Sequence, residues 1–484
     1  MKYFIERCAS FPLFALVFLR LDRRIHETLW LSQRETRWWM KYQVTCTLRF
    51  TAFVIILSVV HSIDAKADNK IQPPQTLSLK DAQNIALKNH PEILSSQYNV
   101  MGAEEKIKEV NANYLPQITG NSIATFAPSN TRLTAAGSIN NPGVYHRGSV
   151  GVSAKQLILD FGRTGHLIGA EQNKMQAQEA NQAFIQMRVK FLVTQAYYTV
   201  LRAIEILKVA KETLTARQTL FERIQALRDS KIRSDLDVSI AIQGVEEGNL
   251  LVIKAQTDLN AAQAKLIQNL GLNEQKSFTF VNDIKVAPPP ADIDSLLLKG
   301  KDQNPEIIML KCELDSARQK YEAAKAENYP TINLVGYAGK NPIRDAKQLQ
   351  PGYAAAGIEL SVPIFTGGKI TAGEKQAFYH SQAILHTLAN KENQFISNVK
   401  VAWNEALAAY KNIKIAAELR DNNNKSLELI EVGYDAGRNS IVDLRQAQLS
   451  KTQADINYSN AVFEYMINLA ALEFFLGLKI QAAI

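Results

Sequence analysis

Two serine–aspartate pairs in the sequence have the spacing of a helix-capping motif. Ser234 and Asp237 are three residues apart, and so are Ser440 and Asp443. In a capping box the serine side chain accepts a bond from the backbone N–H three residues on, and the acidic side chain reaches back to the serine N–H. The spacing by itself predicts that each serine caps the start of a helix, with the aspartate in its first turn.

The other reactive side chains do not resemble an enzyme site. The chain has three cysteines, Cys8, Cys46 and Cys312, and seven scattered histidines. His380 and His386 are six residues apart, so on a helix they point to different sides. No nucleophile stands beside a base, and no glycine loop or metal-ligand spacing is present. We therefore expect no enzyme activity, no cofactor and no metal site.

The beginning of the chain is typical of an exported protein. Basic residues precede an apolar run of 11 residues at 50–60, and Ala65 and Ala67 supply small side chains for a signal peptidase. We expect a signal peptide at residues 40–67 and an upstream extension at residues 1–39. A long signal or a cytoplasmic tail is the alternative. Cleavage would lower the net charge from +8 to about +3, which gives no reason to expect nucleic-acid binding.

Two stretches without proline predict very long helices. No proline occurs between Pro142 and Pro288, and none follows Pro363. In the first stretch apolar residues recur with the alternating spacing of coiled coils. A helix from about Gly165 to Asp229 would be on the order of 100 Å long. We interpret the apolar stripes as packing between helices.

The sequence repeats itself. Residues 89–120 match residues 303–334, and from Gly151 onwards the offset between matching residues is 206. The first repeat is expected at residues 68–272, with a β-hairpin at about 114–160 and a helical hairpin at about 163–271. A proline-rich linker, residues 273–294, joins it to the second repeat at residues 295–484. That repeat has its β-hairpin at about 329–366 and its helical hairpin at about 368–478.

The hairpin strands are long enough to cross a membrane. A tilted membrane strand needs about 9–11 residues. In the second repeat the apolar residues Ile358, Leu360, Val362 and Ile364 alternate with Glu359 and Ser361. In the first repeat the alternation is weak, so a soluble hairpin is an alternative. Four strands cannot close a barrel and open edges are not tolerated in lipid. Strands that span a membrane would therefore require several chains.

The chain resembles the TolC-like outer-membrane channel family over about residues 76–480. The resemblance depends on the duplication and on four segments: NHPEI at 89–93, LDFGR at 159–163, IFTGGK at 364–369 and YDAGRNSIVDL at 434–444. It implies an α+β membrane protein, a homotrimer whose twelve-stranded β-barrel in the outer membrane continues as a periplasmic α-helical coiled-coil barrel. Such a protein is the passive exit duct of a tripartite efflux pump or a type I secretion system in a Gram-negative bacterium. Its partners are a periplasmic adaptor and an inner-membrane transporter.

The resemblance also implies a gate at the periplasmic tips of the helices. Asp443 matches the first carboxylate of the pore ring, Tyr434 the linking tyrosine and Asp237 its partner in the first repeat. Such a ring would attract cations. Two interpretations of Asp443 stay open: a helix cap alone, or a cap whose carboxylate also lines the pore. Gln446 replaces the second ring carboxylate. The linking arginine falls at Asn439, with Arg438 one residue early. A soluble periplasmic coiled-coil adaptor or structural protein is the alternative function, and the sequence does not reveal the transported substrate.

Overall fold

The structure, a computed structural model, describes residues 75–125, 147–272, 278–343 and 352–478. The expected upstream extension and signal peptide lie outside the described residues. The elements of the first half are β1 (Gln75–Leu77), α1 (Leu79–Asn89), α2 (Pro91–Asn111), β2 (Gln117–Thr125), β3 (Arg147–Leu159), α3 (Arg163–Asp229) and α4 (Asp235–Leu270). Those of the second half are β4 (Phe278–Phe280), α5 (Ile293–Gln303), α6 (Pro305–Ala326), β5 (Thr331–Ile343), β6 (Tyr353–Ser361), α7 (Lys369–Asp435) and α8 (Ile441–Leu476).

Corresponding helices of the two halves have equal lengths. Helices α3 and α7 contain 67 residues each, and α4 and α8 contain 36 each. The offset of 206 residues therefore relates equivalent positions along the whole of both helical hairpins. Among the described residues, no helix has both the length and the apolar character needed to cross a membrane.

Local chemistry sets the ends of these helices. Helices α2 and α6 begin with a proline, and the side chains of His90 and Asn304 cap them. Proline suits the first helical position because its missing N–H would have no partner there. Helix α4 ends at Gly271, whose φ is 71°. A Cβ at Gly271 would lie 2.8 Å from the Asn89 carbonyl oxygen, so only glycine fits this close approach.

The predicted apolar stripe of α3 is buried. Val193, Tyr197, Val200 and Leu207 lie in one core cluster with residues of α1 and α4. Their 4-3 spacing places them on one helix face, and burying that face stabilises the helical hairpin. Helix α6 packs on both α7 and α3, and so connects the two halves of the chain.

The long strands form one antiparallel sheet in the order β2-β3-β5-β6. Its register places Ile358 and Leu360 on one face and Glu359 and Ser361 on the other. Apolar residues of the other strands share the first face and are exposed: Ile118, Val150, Val152 and Leu334. The opposite face bears the polar residues Gln117, Thr119, Asn121, Ser153, Lys155 and Asn333, together with Ile123, Val335 and Tyr337. Lys155 pairs there with Glu359 at 3.2 Å.

Strand β6 ends earlier than the alternation of the sequence suggests. Its last residue is Ser361, so Val362 and Ile364 lie beyond the strand. Pro363 lacks the N–H that a ladder hydrogen bond requires. Both residues are nonetheless exposed.

A belt of polar contacts fastens the connecting segments to the long helices. Strands β1 and β4 pair in parallel, and the Tyr197 hydroxyl lies 3.0 Å from the Leu77 carbonyl oxygen and 2.7 Å from that of Val281. The equivalent residue of α7, Trp403, donates to the Pro290 carbonyl at 2.9 Å. Tyr465 of α8 donates to the Ala287 carbonyl. Burial raises the pKa of Tyr465 to about 12, which keeps this donor protonated.

Candidate functional site at the helical tips

The turns of the two helical hairpins lie side by side and share a small core. The turns are residues 230–234, between α3 and α4, and residues 436–440, between α7 and α8. Buried residues from both hairpins meet there: Ile224, Ala241, Tyr434, Ile441 and Leu444. This tip core positions the polar residues around it.

Both serine–aspartate pairs form complete capping boxes. Ser440 accepts a bond from the Asp443 N–H at 3.2 Å, and the Asp443 carboxylate accepts one from the Ser440 N–H at 2.9 Å. Ser234 and Asp237 repeat this arrangement at 3.2 and 3.1 Å. Asp443 is exposed, whereas Asp237 is half-buried. Hydrogen bonds from Ser440 lower the pKa of Asp443, so its carboxylate is charged at neutral pH.

Tyr434 lies against an arginine of the other hairpin. It is 1% exposed, and the Arg233 guanidinium carbon lies 4.1 Å from the centre of its ring. Arg233 also donates to the Tyr434 carbonyl oxygen at 2.7 Å. Among the described residues the Tyr434 hydroxyl has no hydrogen-bond partner, so the tyrosine contacts Arg233 and is not bonded to Asp237.

The sequence interpretation did not identify Arg233. The expected linking arginine fell at Asn439, whose side chain instead donates to the Ile430 carbonyl at 3.3 Å within its own hairpin. Arg438 is exposed on the turn. Residue 233 is the equivalent of residue 439 at the offset of 206, so the arginine stands in the first repeat. Comparing the two repeats at this position would have found it.

Gln446 is exposed one turn after Asp443. Its side-chain amide reaches the Ser450 hydroxyl at 3.5 Å, at the outer limit for a hydrogen bond. The position that the resemblance assigns to a second ring carboxylate is therefore neutral in this chain.

A charged network above the tip joins α3, α4 and α8. Arg445 donates to Gln243 at 2.8 Å and pairs with Glu247, which also lies 3.5 Å from Arg217. Arg217 is 6% exposed and donates to the Gly244 carbonyl at 2.9 Å. Burial lowers the pKa of Arg217, but a guanidinium stays charged at physiological pH. The network joins the two hairpins at a position along the helices that the sequence did not indicate.

Within the described part of the chain no cluster of three or more histidine, cysteine or acidic side chains could hold a metal ion. Cys312 is a half-buried free thiol whose pKa is raised by burial. A raised pKa lowers the fraction of reactive thiolate at neutral pH.

Comparison with known proteins gives the family of the chain. The TolC outer membrane protein of Vibrio cholerae is 26% identical over 419 residues, covering 83% of this chain and 90% of that protein. The alkaline protease secretion protein AprF of Pseudomonas aeruginosa is 22% identical, covering 84% and 85%. The solved CmeC outer membrane channel of Campylobacter jejuni matches with a TM-score of 0.71 at 17% identity, covering 82% and 85%. The family model described as "Outer membrane efflux protein" matches residues 83–272 and 297–478, so the chain belongs to the outer membrane efflux protein family.

Proposed function

We propose that three copies of this chain form a passive exit duct through the outer membrane and across the periplasm. The four-stranded sheet is the observation that supports this most directly. One of its faces exposes apolar side chains, and the other, the polar face, bears most of the polar side chains of the sheet. Within the described residues its edge strands β2 and β6 have no further partner. An exposed apolar face of this kind suits lipid, whereas unpaired edges do not.

Further copies would remove the open edges. Pairing β6 of one copy with β2 of the next gives a closed barrel, and three copies supply twelve strands. The helices α3 and α7, each on the order of 100 Å long at 1.5 Å per residue, would extend the duct into the periplasm. The apolar sheet face would contact lipid and the polar face would line the lumen.

The gate would lie at the helical tips. We assign Asp443 to the pore because its carboxylate is exposed and charged, in contrast to the half-buried Asp237. A ring of three carboxylates would attract cations less strongly than a double ring, since Gln446 adds no charge. Tyr434 and Arg233 would hold the two hairpins of each chain together beside the ring, and Arg438 stands exposed on the adjoining turn.

The partners would be a periplasmic adaptor and an inner-membrane transporter. One relative is named for alkaline protease secretion and another, from Pseudomonas putida, for solvent efflux. We therefore propose either a type I secretion system or a tripartite efflux pump as the assembly this chain serves.

A soluble periplasmic adaptor or structural protein was the alternative. Membership of the outer membrane efflux protein family and the exposed apolar face of the sheet both argue against a soluble protein.

The proposal is tested by extracting the exported protein from membranes with detergent. We expect a heat-sensitive trimer in the outer-membrane fraction and stable conductance when it is added to a planar bilayer. A monomer in the soluble periplasmic fraction that forms no channels would overturn the proposal.

A further inference from the structure

Helix α6 packs along two of the long helices, whereas its equivalent in the first repeat, α2, packs along one. Helix α6 packs on α7 of its own repeat and on α3 of the other repeat. Helix α2 packs on α3 of its own repeat, and it makes no comparable contact with α7 among the described residues. The equivalent second neighbour of α2 would be an α7, which a second copy of the chain could supply.

Equivalent residues of α6 and α2 differ in burial, as expected if α2 lacks a second long helix beside it. Three residues on one face of α6 are buried: Ser316, Ala323 and Ala326. Their equivalents in α2, at an offset of 214, are exposed: Gly102, Glu109 and Ala112. Leu94, Tyr98 and Met101 continue the same exposed face of α2. This face is apolar at one end and charged at the other.

Helix α7 shows the same difference. Three small residues of α3 near α6 are buried: Ala170, Ala177 and Ala180. Their equivalents in α7 are exposed: Gln376, Ala383 and His386. The sheet agrees, since β3 and β5 pair inside the chain while their equivalents β6 and β2 are its edges. Helices and strands thus leave the same two surfaces unpartnered.

The contact between α6 and α3 inside the chain shows which residues of α2 and α7 would meet between two copies. The Gln319 side chain lies 2.8 Å from the His166 ring nitrogen, and its carboxamide carbon would lie 3.5 Å from a Cβ at Gly169. The equivalents of Gln319 and Gly169 are Glu105 and Lys375. Where the contact inside the chain has two neutral residues, the exposed surface of α2 has an acidic residue and that of α7 has a basic one.

We propose that Glu105 of one copy forms an ion pair with Lys375 of the neighbouring copy, where α2 packs on α7 as α6 packs on α3. The proposal rests on the assembly of several copies described above. In the single chain Glu105 contacts Lys108 at 2.7 Å, and both side chains are 70% exposed. Lys375 has no ion-pair partner among the described residues. An exposed pair within one helix contributes little, so Glu105 can exchange it for a partner between copies.

Cross-linking tests the geometry in a chain without native cysteines (C8S, C46S, C312S). With Glu105→Cys and Lys375→Cys together, a short bismaleimide should link copies into dimers and trimers on a denaturing gel. The matched control, Gly169→Cys with Gln319→Cys, should cross-link within one chain and remain a monomer. A variant with only one of the two cysteines, at 105 or at 375, should give a lower yield of links between copies than the variant with both.

Charge reversal tests the ion pair. Glu105→Lys or Lys375→Glu should lower the temperature at which the detergent-extracted trimer dissociates, and the double variant should restore it. Glu104→Lys makes the same charge change one residue away. Its equivalent, Arg318, is 60% exposed in the internal contact, so this control should leave the temperature unchanged.

The outcomes separate this proposal from the proposed function. A stable trimer that neither cross-links through 105 and 375 nor regains stability in the double variant would overturn the ion pair and leave the exit duct standing. An unmodified chain that forms no oligomer would overturn both.

Discussion

At the scale of single residues, Asp443 has a structural task that is visible and a pore task that is proposed. Its carboxylate accepts bonds from the Ser440 N–H and hydroxyl at 2.9 and 2.7 Å, which completes the cap of α8. Because its pKa lies below the ordinary value of about 3.9, the cap is complete above that pH. It is lost as the pH falls through the lowered pKa.

Asp443→Asn separates the two tasks. We expect it to reduce the cation preference of single channels and to weaken block by trivalent cations, because each ligand of a constriction ring adds Coulomb energy. The measurement is single-channel recording in planar bilayers.

Asp237→Asn is the matched control, since it replaces the charged acceptor of the equivalent capping bond in α4 by a neutral one. It should lower thermal stability and leave ion selectivity unchanged. If Asp443→Asn also lowers only thermal stability, the capping box is its whole role.

The tip turns offer a second residue-scale prediction. Lys231 and Gly437 are equivalent residues, and both adopt left-handed backbone, with φ of 61° and 71°. This conformation costs a non-glycine residue about 1–2 kcal/mol. Lys231→Gly should therefore stabilise the protein by about 0.5–1 kcal/mol, after the added freedom of the unfolded chain is subtracted. Thermal unfolding of the extracted protein measures it.

Gly437→Ala should have the opposite effect. A Cβ there meets no atom within 4 Å, so any loss of stability reports backbone strain alone. Gly244→Ala, inside α4, checks the method because alanine should stabilise a helix interior by roughly 0.5–1 kcal/mol. Equal effects of the two alanine substitutions would contradict the strain argument.

At the scale of elements, the two faces of the sheet make the sharpest prediction. Leu360→Arg should destabilise the inserted protein by about 2–4 kcal/mol if the residue lies near the bilayer midplane. Ser361→Arg, on the polar face, should cost much less. Denaturant unfolding in lipid vesicles compares the two variants.

Thiol labelling from water checks the same assignment. Cysteines at 359 and 361 should react with a water-soluble probe, while cysteines at 358 and 360 should not. Equal labelling at all four positions would show that the apolar face is not in lipid.

The strands were harder to predict than the helices for a physical reason. In β6 the alternation is clear from the sequence alone, but β3 has register shifts between Gly148 and Val150 and between Leu157 and Leu159. Such irregularities change which residues share a face. Only the pairing of β3 with β5 shows that Val150 and Val152 lie on the face of Ile358.

At the scale of the whole molecule, the residues outside the described structure lead to one prediction. The expected signal peptide ends at Ala67, after an apolar run too short to span a bilayer. The exported protein should therefore begin at Asp68. Mass spectrometry of its N-terminal peptide measures this, and a start upstream of Met40 would contradict the expected signal peptide at residues 40–67.

The sequence by itself indicated the duplication, the long helices, the capping boxes and the family. These features depend on local spacing or on comparison of one half of the chain with the other. The capping boxes join residues three apart, and the apolar stripe of α3 follows from helical periodicity. Such short-range patterns are readable before any fold is known.

Only the tertiary structure decided what meets at the tips. Arg233 stacks on Tyr434 although the two residues are 201 positions apart, and Arg445 reaches Glu247 across 198 positions. No local pattern selects one partner among many arginines and carboxylates, because these contacts depend on how the two hairpins approach each other. The structure likewise showed that α6 packs along two long helices and α2 along one, since packing between repeats leaves no periodic mark in either repeat alone.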